Sequence, residues 1–203
     1  MNRTVLSIFV VSFCLNTGAL AQEVHPDKQP EVPQALTKGD KQKLSQEVLD
    51  SLFGRLHEEK SEKRAKLLAG AIWKIWGRSG SPTADLLLVQ AERAMAAGRQ
   101  RTAISILSTV VDQYPQFTEA WNKRATAYYI ANDFDKSLAD IKEVLKREPR
   151  HFGALSGMGL IYQQQGEKKK ALSAFRRALA IHPLLKDALR AVKSLAGKVE
   201  QDI

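Results

Sequence analysis

The sequence predicts an all-α fold: a solenoid of stacked antiparallel helix pairs with a C-terminal capping helix. Two observations predict it. Three prolines, Pro115, Pro149 and Pro183, fall at intervals of 34 residues. Seven further columns keep the same interval. They are Leu87, Trp121 and Leu155; Ala91, Ala125 and Gly159; Ala94, Tyr128 and Tyr162; Gly98, Asn132 and Gly166; Ala103, Ser137 and Ala171; Leu107, Ile141 and Phe175; and Val110, Val144 and Ala178. Within a unit, the columns step by three and four, so each set shares one helical face. A fixed period of this length marks stacked repeats rather than a single bundle.

Taken in order, residues 1–21 read as a secretory signal. Arg3 gives the positive start, Val5 to Leu15 the apolar run, and Ala19-Leu20-Ala21 the small-x-small cleavage pattern. The apolar run is too short to span a bilayer. Cys14, the single cysteine, lies inside it, so the exported chain would carry no disulfide and no thiol chemistry. This combination points to a bacterial periplasm. Residues 22–40, with Pro26, Pro30 and Pro33 among polar residues, read as a flexible linker.

Residues 41–83 read as an N-terminal helix pair. Leu44, Val48, Leu52 and Leu56 recur at fours from Lys41 to Glu59, with Asp40 as the expected cap. The second helix carries Leu68, Ile72, Ile75 and Trp76 and ends near Gly77. Counting back one period places Phe53, Leu56, Ala69, Trp73 and Trp76 in repeat columns. The pair therefore reads as a degenerate repeat with Arg64 at the interhelix turn. Arg78 to Thr83 is the turn into the first clear unit.

The clear units are 84–117, 118–151 and 152–185. In the middle one, Ala120 to Ala131 and Asp135 to Arg147 are the expected helices. Small residues at 91, 125 and 159, and at 103, 137 and 171, allow the paired helices to approach. Gly98, Asn132 and Gly166 stand where the first helix ends and a left-handed backbone is needed. Asp133 and Asp135 fall in that turn, the second as a cap. Each proline closes a second helix because it lacks the N–H that would continue it. Residues 186–203 form a capping helix and tail, with Leu189, Val192 and Leu195 as its apolar face.

A 34-residue period with large, small and aromatic residues at these offsets resembles the tetratricopeptide repeat (TPR). The match departs from that family at Gln90, Arg124 and Met158, where leucine is preferred, and weaker inner packing of the first two units is expected there. The resemblance implies that the first helix of each unit lines a concave groove. Its lining would be Asp85, Leu88, Glu92 and Met95, then Glu119, Asn122, Thr126 and Tyr129, then Gly153, Ser156, Leu160 and Gln163. Such a groove could hold a protein or peptide segment, with Tyr129 as anchor. One TPR subtype clamps an acidic C-terminal peptide with basic and amide groups. This chain has Leu88, Glu92, Lys123, Gly153 and Gly157 at those places, so that clamp is not implied.

No residue set points to catalysis, a cofactor or a metal. His25, His57, His151 and His182 lack ligand spacing, and the last two fall at repeat boundaries where solvated turns are expected. Gly77-Arg78-Ser79-Gly80 lacks the spacing of a nucleophile elbow. Gly153, Gly157 and Gly159 have no Gly-Lys-Ser/Thr after them and read as helix-packing positions. Net charge is +9. Of the three clear units the third carries the largest excess, through Lys168, Lys169, Lys170, Arg176 and Arg177, on the turn edge and outer face.

The leading expectation is a non-catalytic scaffold or adaptor of the periplasm, similar to small exported TPR proteins of envelope assembly or secretion. The alternative is an anion-binding envelope protein that uses the basic outer face for cell-wall polymer, anionic lipid or acidic protein. Nucleic acid is disfavoured by export and by the lack of interleaved aromatic residues. Expression in a bacterial host should yield a mature protein whose mass begins at Gln22. A chain starting at Met1 or Asn2 would overturn the export reading.

Overall fold

A computed structural model describes residues 37–200. The signal expected at 1–21 and the linker up to residue 36 lie outside them. Nine helices and no strand occur among the described residues. Three antiparallel pairs form the repeat units: α3 (Pro82–Ala96) with α4 (Gln100–Gln113), α5 (Thr118–Ile130) with α6 (Phe134–Arg147), and α7 (Phe152–Gln164) with α8 (Lys168–Ile181). Before them stand α1 (Lys38–Glu58) and α2 (Glu62–Trp76), and after them α9 (Lys186–Glu200).

The turn inside each unit is made by its left-handed residue. Gly98, Asn132 and Gly166 have φ of 69°, 60° and 77°, a region open to glycine and tolerated by asparagine. Helix α6 starts one residue earlier than expected, because Asp133 rather than Asp135 is its cap: the Asp133 carboxylate accepts from the Lys136 N–H. The small column lies where paired helices cross. Ala91 and Ala125 are buried. A Cβ at Gly159 would stand 2.8 Å from the Phe175 ring, so only glycine fits there without displacing a core aromatic. The Ser137 hydroxyl donates to the Ala125 carbonyl at 2.7 Å, so a polar group at the crossing is satisfied. Leu107, Ile141 and Phe175 fill the space alongside.

The residues in the leucine column are not all loosely packed. The Arg124 guanidinium donates to both Asp140 oxygens, at 2.8 and 2.9 Å, and to Ser108 Oγ at 3.2 Å. It also lies over the rings of Trp121 and Tyr128. A bidentate ion pair between α5 and α6, tied also to Ser108 of α4, thus stands where leucine would pack.

Helix α9 is built like the first helix of a further unit. Ala188 and Leu195 are buried against α8, one period after Ala154 and Ile161, which are also buried. Its other face carries Leu189, 43% exposed, and Lys193 in the column of small residues. A long charged side chain there replaces the small residue at which the paired helices of the units cross.

The N-terminal pair departs from expectation at three points. Helix α1 begins at Lys38, inside the segment read as linker. Its cap is Thr37, not Asp40: Thr37 Oγ1 accepts from the Asp40 N–H while Asp40 accepts from the Thr37 N–H, a reciprocal capping box. The turn into α2 is Glu59–Ser61, so Arg64 lies within the helix. Glu59 makes this turn short. Its carboxylate accepts from Arg64 Nε and from the Ser61 and Lys60 N–H groups, which hold its pKa down to about 2. Finally, the pair does not stack on α3 and α4 as a preceding repeat would. Its buried residues, Leu49, Phe53, Leu56, Leu68, Ile72 and Trp76, cluster with Phe152, Ile181, Leu184 and Leu185 of the third unit.

The reason is phase. Helices α4, α6 and α8 begin 34 residues apart, at Gln100, Phe134 and Lys168, but α2 begins at Glu62, four residues before the period. That is about one helical turn, or roughly 5 Å. The link Gly77–Ser81 also lacks the repeat proline. Pro82 opens α3 instead, and Gly80 turns the chain at φ 81°. The face of α3 that a preceding unit would cover is consequently open, with Leu86 and Val89 56% and 40% exposed.

Truncating Leu107→Ala at the centre of the first unit should cost about 2–5 kcal/mol in urea unfolding. The same change at Leu86 should move stability by no more than about 0.5 kcal/mol. Equal losses would mean that the α3 face is covered in solution.

Candidate functional site

Helices α3, α5 and α7 lie side by side, with α5 touching both others. They form the face to which the sequence assigned the groove. The structure divides its lining into two stretches. Towards the intra-unit turns, Met95 and Tyr129 are half-buried, while Thr126, Leu160 and Gln163 are exposed. Tyr129 packs against Phe134, with ring centroids 5.8 Å apart. The Thr126 hydroxyl donates back to the Asn122 carbonyl, one turn earlier on α5. This stretch offers apolar and hydrogen-bonding groups to solvent.

The stretch near the proline turns is engaged within the chain. Asp85 accepts from the Ser79 N–H and hydroxyl at 2.7 and 2.6 Å, pinning the link that leads out of α2. Leu88 is buried in the first unit's core. Glu119 is only 2% exposed and Asn122 8%, although a polar residue on an open groove would be solvated. Glu119 accepts from Asn122 Nδ2 at 3.1 Å and meets His151 Nε2 at 3.2 Å. Ser156 is half-buried, its hydroxyl donating to the Phe152 carbonyl.

What covers this stretch is α2. Trp73 meets His151 and Phe152 edge to face, with centroids 5.2 and 5.5 Å apart. Trp76 stacks flat on His151, with centroids 4.0 Å apart. A Cβ on Gly153 would fall 2.6 Å from the Trp73 ring, so the indole lies where any other residue would project its side chain. The Lys123 ammonium stands 5.9 Å from the Trp73 centroid and pairs with Glu92 at 2.7 Å and Glu119 at 3.5 Å. Burial pulls the Lys123 pKa down, but the two carboxylates outweigh it and hold it above the usual lysine value.

His151 and His182 are therefore not solvated turn residues. His151 is fully buried and caps α7, its Nδ1 accepting from the Ala154 N–H at 3.0 Å. A ring nitrogen that accepts carries no proton, so the neutral ring donates from Nε2 to Glu119. His182 is 5% exposed, edge-on to Phe152, and its Nδ1 has no hydrogen-bond partner among the described residues. Sequence reasoning missed this cluster because Trp73 and Trp76 occupy columns that resemble repeat core. Phe152 falls outside the repeat columns, and Gly153 reads from the sequence as a helix-packing position.

On α8, Lys169, Lys170, Arg176 and Arg177 are exposed and Lys168 half-buried. Lys170 pairs with Glu167 and lies over Tyr162. A shallow depression of about 370 Å³ is lined by Lys169, Leu172, Ser173, Arg176 and Arg177. Among the described residues, no group of His, Cys, Asp and Glu could hold a metal ion. None of the described helices is long and apolar enough to cross a membrane.

The family model described as tetratricopeptide repeat matches residues 88–139 and 123–185. A TPR repeat-containing protein of Rhizobium etli is 38% identical over 151 residues, covering 74% of either chain. The small glutamine-rich tetratricopeptide repeat-containing protein 2 of Saccharomyces cerevisiae is 27% identical over 124 residues, 59% of this chain and 35% of its own. Among solved structures, the Sgt2 TPR domain from Aspergillus fumigatus superposes with a TM-score of 0.57 at 21% identity, over 60% of this chain and 82% of that one. The first TPR of Spaghetti, bound to an HSP90 peptide, gives 0.56 at 18% identity, over 58% and 93%. At these identities the structural likeness concerns the fold alone.

Burial pushes the His182 pKa below the usual histidine value of 6.5. The unfolded chain then binds this proton at higher pH than the folded one. Stability from this group is complete above about pH 6.5 and falls as pH drops through the folded value. Urea midpoints at about pH 7.5 and about pH 5.5 should show the loss, and His182→Asn should reduce it. An unchanged difference in the variant would overturn the assignment.

Proposed function

This chain belongs to the tetratricopeptide repeat family, and on that premise we propose that it is a non-catalytic adaptor holding a segment of another protein against its concave face. The observation that carries the reading is the solvent-facing stretch of Met95, Thr126, Tyr129, Leu160 and Gln163 across three adjacent helices. Mixed apolar and hydrogen-bonding groups around one aromatic suit a short helical or extended segment. TPR domains of similar fold have been solved with HSP90 and HSP70 peptides, which supports peptide docking as the mode. An acidic peptide tail of that kind fits this groove poorly. Lys123, the single basic residue at the clamp places, is neutralised by Glu92 and Glu119.

The signal-like start at residues 1–21 supports a periplasmic setting for this adaptor. A second reading rests on α8, where Lys169, Arg176 and Arg177 are exposed and make no ion pair among the described residues. That face could hold an anionic envelope component in place of, or beside, the groove ligand.

Partner capture from a periplasmic extract should survive high salt and be lost in Tyr129→Ala with Leu160→Asp. It should persist when Lys169, Arg176 and Arg177 are changed to Glu. The reverse pattern, with salt-labile capture lost only in the charge-reversed variant, would favour the outer face and sink the groove reading.

A further inference from the structure

Helix α2 packs like a bound ligand on the groove face of α5 and α7. Its two tryptophans, three residues apart, project from one helical face. Trp73 seats over Gly153, where a Cβ would collide with the ring, and Trp76 stacks on His151. Gly153 occupies the same repeat position as Asp85 and Glu119, both of which carry side chains on this face. Its missing side chain leaves the cradle that the indole fills. Lys123 closes the cradle from the α5 side.

The attachment is separable from the rest of the fold in three respects. The buried residues of α1 and α2 form no part of the α3–α4 core, so the hairpin is joined to its neighbour in sequence through the link Gly77–Ser81. Its outer contacts are exposed: Arg150 with Asp50 at 2.7 Å, Lys186 with Glu62 at 2.6 Å, and His57 Nδ1 donating to the Ala180 carbonyl at 3.0 Å. Exposed pairs of this kind hold weakly. Trp76 Nε1, on the hairpin itself, is also buried without a hydrogen-bond partner among the described residues. It would gain water if the hairpin lifted, which narrows the gap between the closed and open states.

We propose that Lys123, His151, Phe152 and Gly153 form a receptor site for a tryptophan-bearing amphipathic helix, and that α2 is its intramolecular occupant. The partner of the groove is then a helix presenting two aromatic residues three positions apart, which takes this site by displacing α2. The proposal rests on the reading of the α3, α5 and α7 face as the docking face, and it adds that half of this face is closed in the resting chain. A partner confined to the Tyr129 and Leu160 stretch would not touch the latch, so either claim can fail without the other.

The test uses the full chain and a fluorescein-labelled peptide with the sequence of residues 62–77. Trp73→Ala with Trp76→Ala weakens the internal occupant and leaves the cradle intact. This variant should bind the peptide roughly tenfold or more tightly than wild type, because apparent affinity scales with the fraction of open sites. Adding Gly153→Leu should abolish that binding. Equal affinity in wild type and the tryptophan variant, no binding in either, or persistence with Gly153→Leu would overturn the proposal. A wild-type dimer exchanging α2 between copies would overturn the intramolecular assignment. Hydrogen exchange on wild type keeps the test open if the variant does not fold. Amides of α1 and α2 should lose protection together, at lower denaturant than those of α3 to α8. Loss in a single step across all helices would count against a latch.

Discussion

The structure depends on one steric constraint, the closeness of the two helices within each unit. Where they cross, the first helix carries only a small residue, Ala91, Ala125 or Gly159. At the third unit even a methyl group would meet the Phe175 ring. This contact sets which faces of the two helices meet, and so where Leu107, Ile141 and Phe175 must lie to fill the remaining volume. With that face fixed, the opposite faces of α3, α5 and α7 are left side by side. The groove is thus what remains after the small column is satisfied, and its residues are free to vary in chemistry.

The seam between the first two units shows how a polar group can replace an apolar one under the same constraint. Arg124 stands in a column that favours leucine, yet it reaches Ser108 on one side and Asp140 on the other. Arg147 lies over the Trp121 ring, and both Arg147 Nε and Trp121 Nε1 donate to the Pro115 carbonyl at 3.0 Å. The proline turn therefore gains partners for its exposed acceptor from the next unit. Specificity of stacking here comes from directed hydrogen bonds and stacked cations, where a leucine would contribute only area.

The repeat helices were legible because their determinants recur. A left-handed turn residue, a small crossing residue and a closing proline, repeated three times, leave little freedom in register. Helix starts were less legible, since Thr37 and Asp133 compete with equally good capping residues a few positions away. The N-terminal pair was the real difficulty. Phe53, Trp73 and Trp76 fit repeat columns when counted by 34, and the count does not register a one-turn advance of α2. Nor does any local pattern link residue 73 to residue 153. That contact depends on a three-dimensional path around the first two units, and burial of His151, Glu119 and Asn122 follows from it. The sequence thus marked the groove's floor and gave no sign of its cover.

The two ends of the solenoid are treated differently, and this bears on how the groove can work. At the C-terminal end of the described helices, α9 occupies the place of a next unit's first helix, packs on α8 and carries Lys193 in the small column. At the N-terminus, the chain leaves Leu86 and Val89 of α3 exposed and commits Phe53, Trp73 and Trp76 to the third unit instead. Burying one large apolar side chain is worth about 1.5–3 kcal/mol, so two tryptophans and their neighbours represent a substantial share of what a micromolar ligand gains, roughly 8 kcal/mol in all. A segment held only by Met95, Tyr129 and Leu160 leaves that contribution untouched. A segment long enough to reach Gly153 must exceed it, and will bind with an affinity reduced by the work of lifting α2. Length and aromatic content, more than charge, are therefore the properties by which this groove would discriminate among partners.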